Sequence, residues 1–101
     1  MVENIEIEMP EGLETIVPRY LAARRDEVPE MLALLAASDF DRLASLAHKI
    51  KGTGTSYGFL ELTQMAARAE LSAKKKDAET LTAELAEIQD YLGRVRLSAK
   101  P

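Results

Sequence analysis

Ala78, Leu81, Leu85, Ile88, Leu92 and Val95 follow one another in steps of three and four residues. That spacing commits a chain to an α-helix with one buried stripe, since a helix turns once in about 3.6 residues. The same rhythm appears three more times. Phe59, Leu62, Ala66, Ala69 and Ala73 form one set, and Leu43, Leu46, Ala47 and Ile50 another. Val17, Leu21, Val28, Met31, Leu32 and Leu35 form the first. Four amphipathic helices that bury one stripe each have to pack on one another.

Local signals set the boundaries. Pro18 suits a first helical turn, where its missing N–H costs nothing. Ser38 and Asp39 can cap a helix that starts at Phe40, with Asp41 where a capping box wants a carboxyl. Ser56 is a candidate cap for the third helix and Asp77 for the fourth. Lys74, Lys75 and Lys76 place positive charge at the third helix's end, where the dipole favours it. The spacing predicts helices over 18–37, 39–54, 57–75 and 77–94, with a short helical turn at 11–16. Short connections make sequential helices antiparallel neighbours. The expectation is an all-α, up-down-up-down four-helix bundle in a single domain spanning 1–101. Residues 1–10 form an N-terminal arm, 11–95 the helical bundle and 96–101 a tail.

Pro29 falls inside the first helix, at a cost of roughly 3 kcal/mol. The stripe stays in phase across it from Leu21 to Leu35, which favours one kinked helix over a break near Glu27. At the chain ends, Ile5, Ile7 and Met9 alternate with Glu6 and Glu8, and Val95 and Leu97 with Arg94 and Arg96. The bundle topology brings these segments to one end. They are expected to pair as a ribbon over Ile5–Glu8 and Arg94–Leu97, acidic side chains facing basic ones. The alternative is two frayed, solvated tails.

Composition removes several functions. The chain has 101 residues, no cysteine and no tryptophan, and a net charge of −4. Without cysteine there is no disulfide, thiolate metal site or thiol nucleophile. The negative charge argues against nucleic acid as a partner, and the few aromatics against a base-stacking surface. No apolar run is long enough for a membrane span, and "MVENIEIEMP" is too acidic for a signal peptide. The cytoplasm is the simplest location, and a monomer the expected state.

The remaining chemistry lies in "HKIKGTGTSYGF". It begins with the only histidine and carries two lysines and three glycines. A P-loop does not fit, because the lysines precede the glycines and no strand leads in. A dinucleotide fingerprint fails on the position of its third glycine. Read as a helix, His48 points roughly 140° away from Leu43, onto the polar side. Lys51, Gly52 and Thr55 follow it along one exposed strip. Gly52 has two readings. A glycine one turn above an exposed imidazole leaves a notch through which a protein can approach. Equally, Gly52 and Gly54 can simply end the helix. A metal site is not expected, since no Glu or Asp lies four residues from His48.

At these residues the sequence resembles a known family. "AHKIKGTGTSYGF", followed by "LTQMAARAE", is similar to the phosphorylatable segment of histidine-containing phosphotransfer (HPt) domains. The pattern positions here are His48, Lys51, Gly52, Gly58 and Glu70. "VPRYLAARRDEVPEMLALLAASDF" resembles the preceding helix of such domains, with Pro29 as the departure. The resemblance covers roughly residues 13–95. It implies a carrier of a multistep phosphorelay, with response-regulator receiver domains as partners and a hybrid histidine kinase as a further donor. His48 would take the phosphoryl group on Nε2, and Lys51 and Gly52 would support it. The receiver would supply the catalytic carboxylates and Mg²⁺, so the chain would be a carrier with no cofactor and no metal of its own, and not an enzyme. Ser45, Thr55 and Gly58 are candidates for the docking surface. The competing reading is a helical adaptor that never carries phosphate.

Overall fold

The computed structural model describes residues 3–99. Its helices are α1 (Ile16–Ala36), α2 (Phe40–Thr53), α3 (Leu60–Lys74) and α4 (Ala78–Arg94). Strand β1 (Ile5–Glu8) precedes them and β2 (Val95–Ser98) follows. Each helix packs on the next and α1 closes on α4, with the α2–α3 interface the most extensive. This is the up-down-up-down four-helix bundle that the four stripes require.

The core draws on every stripe. Val17, Leu21, Val28 and Met31 of α1 are buried with Leu43, Leu46, Ala47 and Ile50 of α2. Leu62, Ala66, Ala69 and Ala73 of α3 meet Leu81, Leu85, Ile88 and Leu92 of α4. Three stripe positions fall short: Leu32 is 37% exposed, Leu35 is only partly buried and Ala78 lies on the surface. Helix α1 runs through Pro29 without a break, so burial on both sides of the proline outweighs the lost backbone bond.

Two turns share one device. Ser38 and Lys76 adopt left-handed backbone conformations, with φ of 55° and 56°. The Asp39 N–H donates back to Leu34 and the Asp77 N–H to Ser72, closing the ends of α1 and α3. Each aspartate then caps the next helix. Asp39 accepts from the Arg42 N–H and Asp77 from the Thr80 N–H. Asp39 alone therefore caps α2. Ser38 is spent on the turn, and Arg42 rather than Asp41 stands at the capping-box position.

The start of α3 differs from expectation. Thr55–Tyr57 form a 3₁₀ turn, and α3 begins at Leu60. Gly58 at φ 94° ends that turn, so Ser56 lies before the break and caps nothing. Phe59 occupies the cap position with no side-chain bond and is fully buried, which anchors the junction by packing instead. Tyr20 stacks on Tyr57 and Phe59, and its hydroxyl is 2.8 Å from Thr53 Oγ1.

The chain ends do pair, in parallel. Ile5 lies opposite Val95, Glu6 opposite Arg96 and Ile7 opposite Leu97. Ile5, Ile7 and Leu97 pack on the core, and this cover stabilises a two-stranded ribbon that would be marginal alone. The register sets an acid beside a base, but Arg96 donates instead to the Gly93 and Val95 carbonyls. Arg25 of α1 donates to the Leu92 and Val95 carbonyls, placing a cation at the C-terminus of α4. Among the described residues, no helix is long and apolar enough to cross a membrane.

Candidate functional site

Burial of Leu43, Leu46, Ala47 and Ile50 turns the opposite face of α2 to solvent. Ser45, His48, Lys49 and Gly52 lie on that face, and the His48 side chain is 65% exposed. The imidazole is nevertheless fixed. Its Nδ1 lies 2.9 Å from Glu70 Oε2, reached across the α2–α3 interface.

Glu70 organises the site. It follows Ala66 by four residues and precedes Ala73 by three, so it sits on the buried side of α3, and its side chain is only 7% exposed. A carboxylate there needs partners. Lys51 Nζ lies 2.6 Å from Oε1, and Lys74 Nζ lies 3.2 Å from Oε2. The Lys51 contact above all, with Lys74 and His48, holds the carboxyl at about 2 against the opposing effect of burial.

This ionisation fixes the histidine. A carboxylate only accepts hydrogen bonds, so neutral His48 must carry its proton on Nδ1 and donate it to Glu70. Nε2 then keeps its lone pair. The arrangement is that of an oriented imidazole nucleophile, with a buried anion behind it.

The three glycines after His48 have separate roles. Gly52 lies inside α2, which continues to Thr53, so it does not end the helix. A Cβ at Gly52 would meet nothing within 4 Å. Gly54 is the C-cap, where a Cβ would overlap Thr63 Oγ1 and press on the Phe59 carbonyl. Gly58 serves the turn through its positive φ, with Pro10 and Ile7 closest to where a side chain would stand.

The other expected residues are placed as follows. Ser45 is exposed one turn before His48. Thr55 is exposed but belongs to the 3₁₀ turn beyond α2, where it donates to Thr63 Oγ1. Lys51 bends onto Glu70 and is 36% exposed, so it does not stand free along the strip. An open groove passes His48, walled by Asp41, Ala44, Ser45 and Lys49 of α2 and by Glu70 and Lys74 of α3. Among the described residues, no group of three His, Cys, Asp or Glu side chains could hold a metal ion.

In the sequence Glu70 stands out as a position of the HPt pattern, and the positions four residues from His48 exclude a metal site without pointing to a partner for the imidazole. The bond that His48 donates to Glu70 and the part played by Lys74 emerge from the structure. Both left a signal: a lone carboxylate in phase with the alanine stripe of α3, followed at i+4 by a lysine.

In comparison with known families, the family model described as Hpt domain matches residues 2–98. Comparison with curated proteins and with solved structures returned no match.

Proposed function

This chain belongs to the Hpt domain family, and we propose that it carries a phosphoryl group on His48 Nε2 between receiver domains of a multistep phosphorelay. The observation that carries this reading is the bond from exposed His48 to buried, ionised Glu70. It leaves Nε2 as the one nucleophilic ring nitrogen and points the free side of the ring outward.

In the forward step the Nε2 lone pair attacks the phosphorus of a receiver's aspartyl phosphate. The N–P bond forms as the O–P bond breaks, and the aspartate leaves as a carboxylate with the electron pair. The ring gains positive charge, and Glu70 offsets it at Nδ1. In the onward step a second receiver's carboxylate attacks phosphorus. The N–P pair returns to Nε2, and neutral imidazole leaves with its proton still held by Glu70. Positioning and charge neutralisation are most of what such a transfer needs, so a carrier suffices.

Lys51 keeps Glu70 ionised and places a cation beside the imidazole. Gly52 leaves the approach open, and Ser45 and Thr55 border the docking face, while Gly58 shapes the turn next to it. A receiver domain is the partner that fits, with a hybrid histidine kinase as a further donor. The proposed setting is a cytoplasmic monomer.

Incubation with a phosphorylated receiver domain, read by intact mass, tests the carrier. One acid-labile, base-stable phosphoryl group is expected on the wild type and none on His48→Gln. An unmodified wild type would leave the adaptor role, and normal labelling of His48→Gln would move the acceptor elsewhere.

A further inference from the structure

Two lysines bind Glu70, and they differ. Lys51 is bound at 2.6 Å and is 36% exposed, whereas Lys74 is bound at 3.2 Å and is 64% exposed. They also use different oxygens. Lys51 takes Oε1, while Lys74 shares Oε2 with His48 Nδ1. The ammonium of Lys74 and the imidazole are thus neighbours on one oxygen, and Lys74 also lines the open groove beside the ring.

The charge balance before and after phosphorylation separates them further. In the resting site one carboxylate faces two ammonium groups. A phosphoryl dianion on Nε2 brings new negative charge to the groove, and the cation held less tightly is the one free to meet it. A lysine is a point charge on a flexible stem and can change partner without moving its helix. Glu70 keeps Lys51 when Lys74 departs, so the carboxylate is not left buried and unpaired.

From this geometry we infer that Lys74 is a mobile positioning residue that leaves Glu70 for the phosphoryl group when His48 is phosphorylated, while Lys51 stays as the fixed counter-charge. The inference rests on the carrier reading above and adds a second cation that acts only in the phosphorylated state. Lys49 lines the same groove but makes no ion pair among the described residues, so nothing couples it to Glu70. It serves as the charge-matched comparison.

Potassium phosphoramidate provides a test without a partner. The Nε2 lone pair takes the phosphoryl group, the P–N bond of the reagent breaks and ammonia leaves. Phosphorus NMR then follows the ionisation of the bound phosphoryl group with pH in wild type, Lys74→Gln, Lys74→Arg and Lys49→Gln. A cation beside the group favours its dianion, so Lys74→Gln should move the titration up by about half a pH unit, the size of an exposed ion pair. Lys74→Arg should restore the wild-type curve, and Lys49→Gln should shift it less. Nitrogen NMR of the unlabelled proteins should report the Nδ1–H tautomer in all four.

Coincident phosphoryl titrations for wild type and Lys74→Gln would overturn the inference. An equal shift from Lys49→Gln would replace it with a diffuse field. Loss of the Nδ1–H tautomer in unlabelled Lys74→Gln would make Lys74 a static prop for Glu70. If the titration shifts as expected but no receiver exchanges phosphate with the protein, the carrier reading fails and the Lys74 assignment stands. Absence of any label on His48 would sink both.

Discussion

Replacing Glu70 with glutamine keeps the volume of the side chain and removes its charge. In the folded protein the carboxyl is held at about 2, against 4.5 ordinarily. The unfolded chain therefore binds a proton at Glu70 over a pH range in which the folded chain does not, and falling pH favours unfolding there. The difference amounts to about 3 kcal/mol at neutral pH, an upper figure because Lys74 is mostly exposed and solvent screens its share. This stability is fully present above about pH 5 and is lost as pH falls toward about 2. Glu70→Gln should cost about 2–3 kcal/mol near neutrality and almost nothing near pH 2. Urea unfolding of both proteins at several pH values, followed by circular dichroism, measures the gap. Other carboxylates titrate in both proteins and cancel in the difference. The substitution also frees the imidazole, because an amide can accept from Nδ1–H or donate to bare Nδ1. Nitrogen NMR of the variant should show a mixture of tautomers, and labelling at His48 should slow. A gap independent of pH, or an unchanged Nδ1–H tautomer, would refute the reasoning.

At Gly52 alanine should raise stability by about 0.5–1 kcal/mol, since the site is helical and open. Gly52→Gln should fold equally well and accept phosphate from phosphoramidate, yet lose transfer from a receiver. Normal receiver transfer by Gly52→Gln would refute the notch. Gly54→Ala should instead lower the melting temperature, because its Cβ meets Thr63 and the Phe59 carbonyl, and an unchanged melt would show that the contact relaxes freely. Ser38→Gly and Lys76→Gly should each add about 0.5–1 kcal/mol by relieving a left-handed backbone conformation, measured by denaturant midpoint. The buried Tyr91 hydroxyl finds no partner among the described residues, and burial pushes its titration up to about 12. Tyr91→Phe should gain about 1 kcal/mol in the same assay, and a loss would reveal a partner such as a bound water.

Much of the fold was legible because apolar spacing and capping residues act locally. The stripes located four helices, and Asp39 and Asp77 fell at their caps. The start of α3 was less legible, since Ser56 satisfies a capping rule while the left-handed Gly58 decides where the helix begins. Only the backbone shows that φ. The ribbon was readable as a pattern, but its parallel direction and the turning of Arg96 onto carbonyls follow from tertiary placement. His48 was legible from helix phase. Glu70 was visible as a pattern position and as a lone carboxylate in the α3 stripe, but its bond to the imidazole was not, because that bond crosses 22 residues of sequence between two helices.

The glycines after His48 bring fold and function together. Gly54 and Gly58 look like Gly52 in the sequence, yet each has a reason inside the molecule. At Gly54 the lack of a Cβ lets the end of α2 approach the start of α3 beside Thr63. That approach belongs to the same interface across which Glu70 reaches His48. At Gly58 a backbone conformation that L side chains rarely adopt completes the turn into α3. Gly52 has neither excuse. It costs roughly 0.8–1 kcal/mol relative to alanine in a helix, and nothing nearby would obstruct a side chain. A side chain there would lean back along the helix toward His48, since Cα–Cβ bonds tilt to the N-terminus. On the carrier role proposed above, the reason for glycine at this position lies outside the folded chain, in a receiver domain that would have to reach Nε2 over that surface.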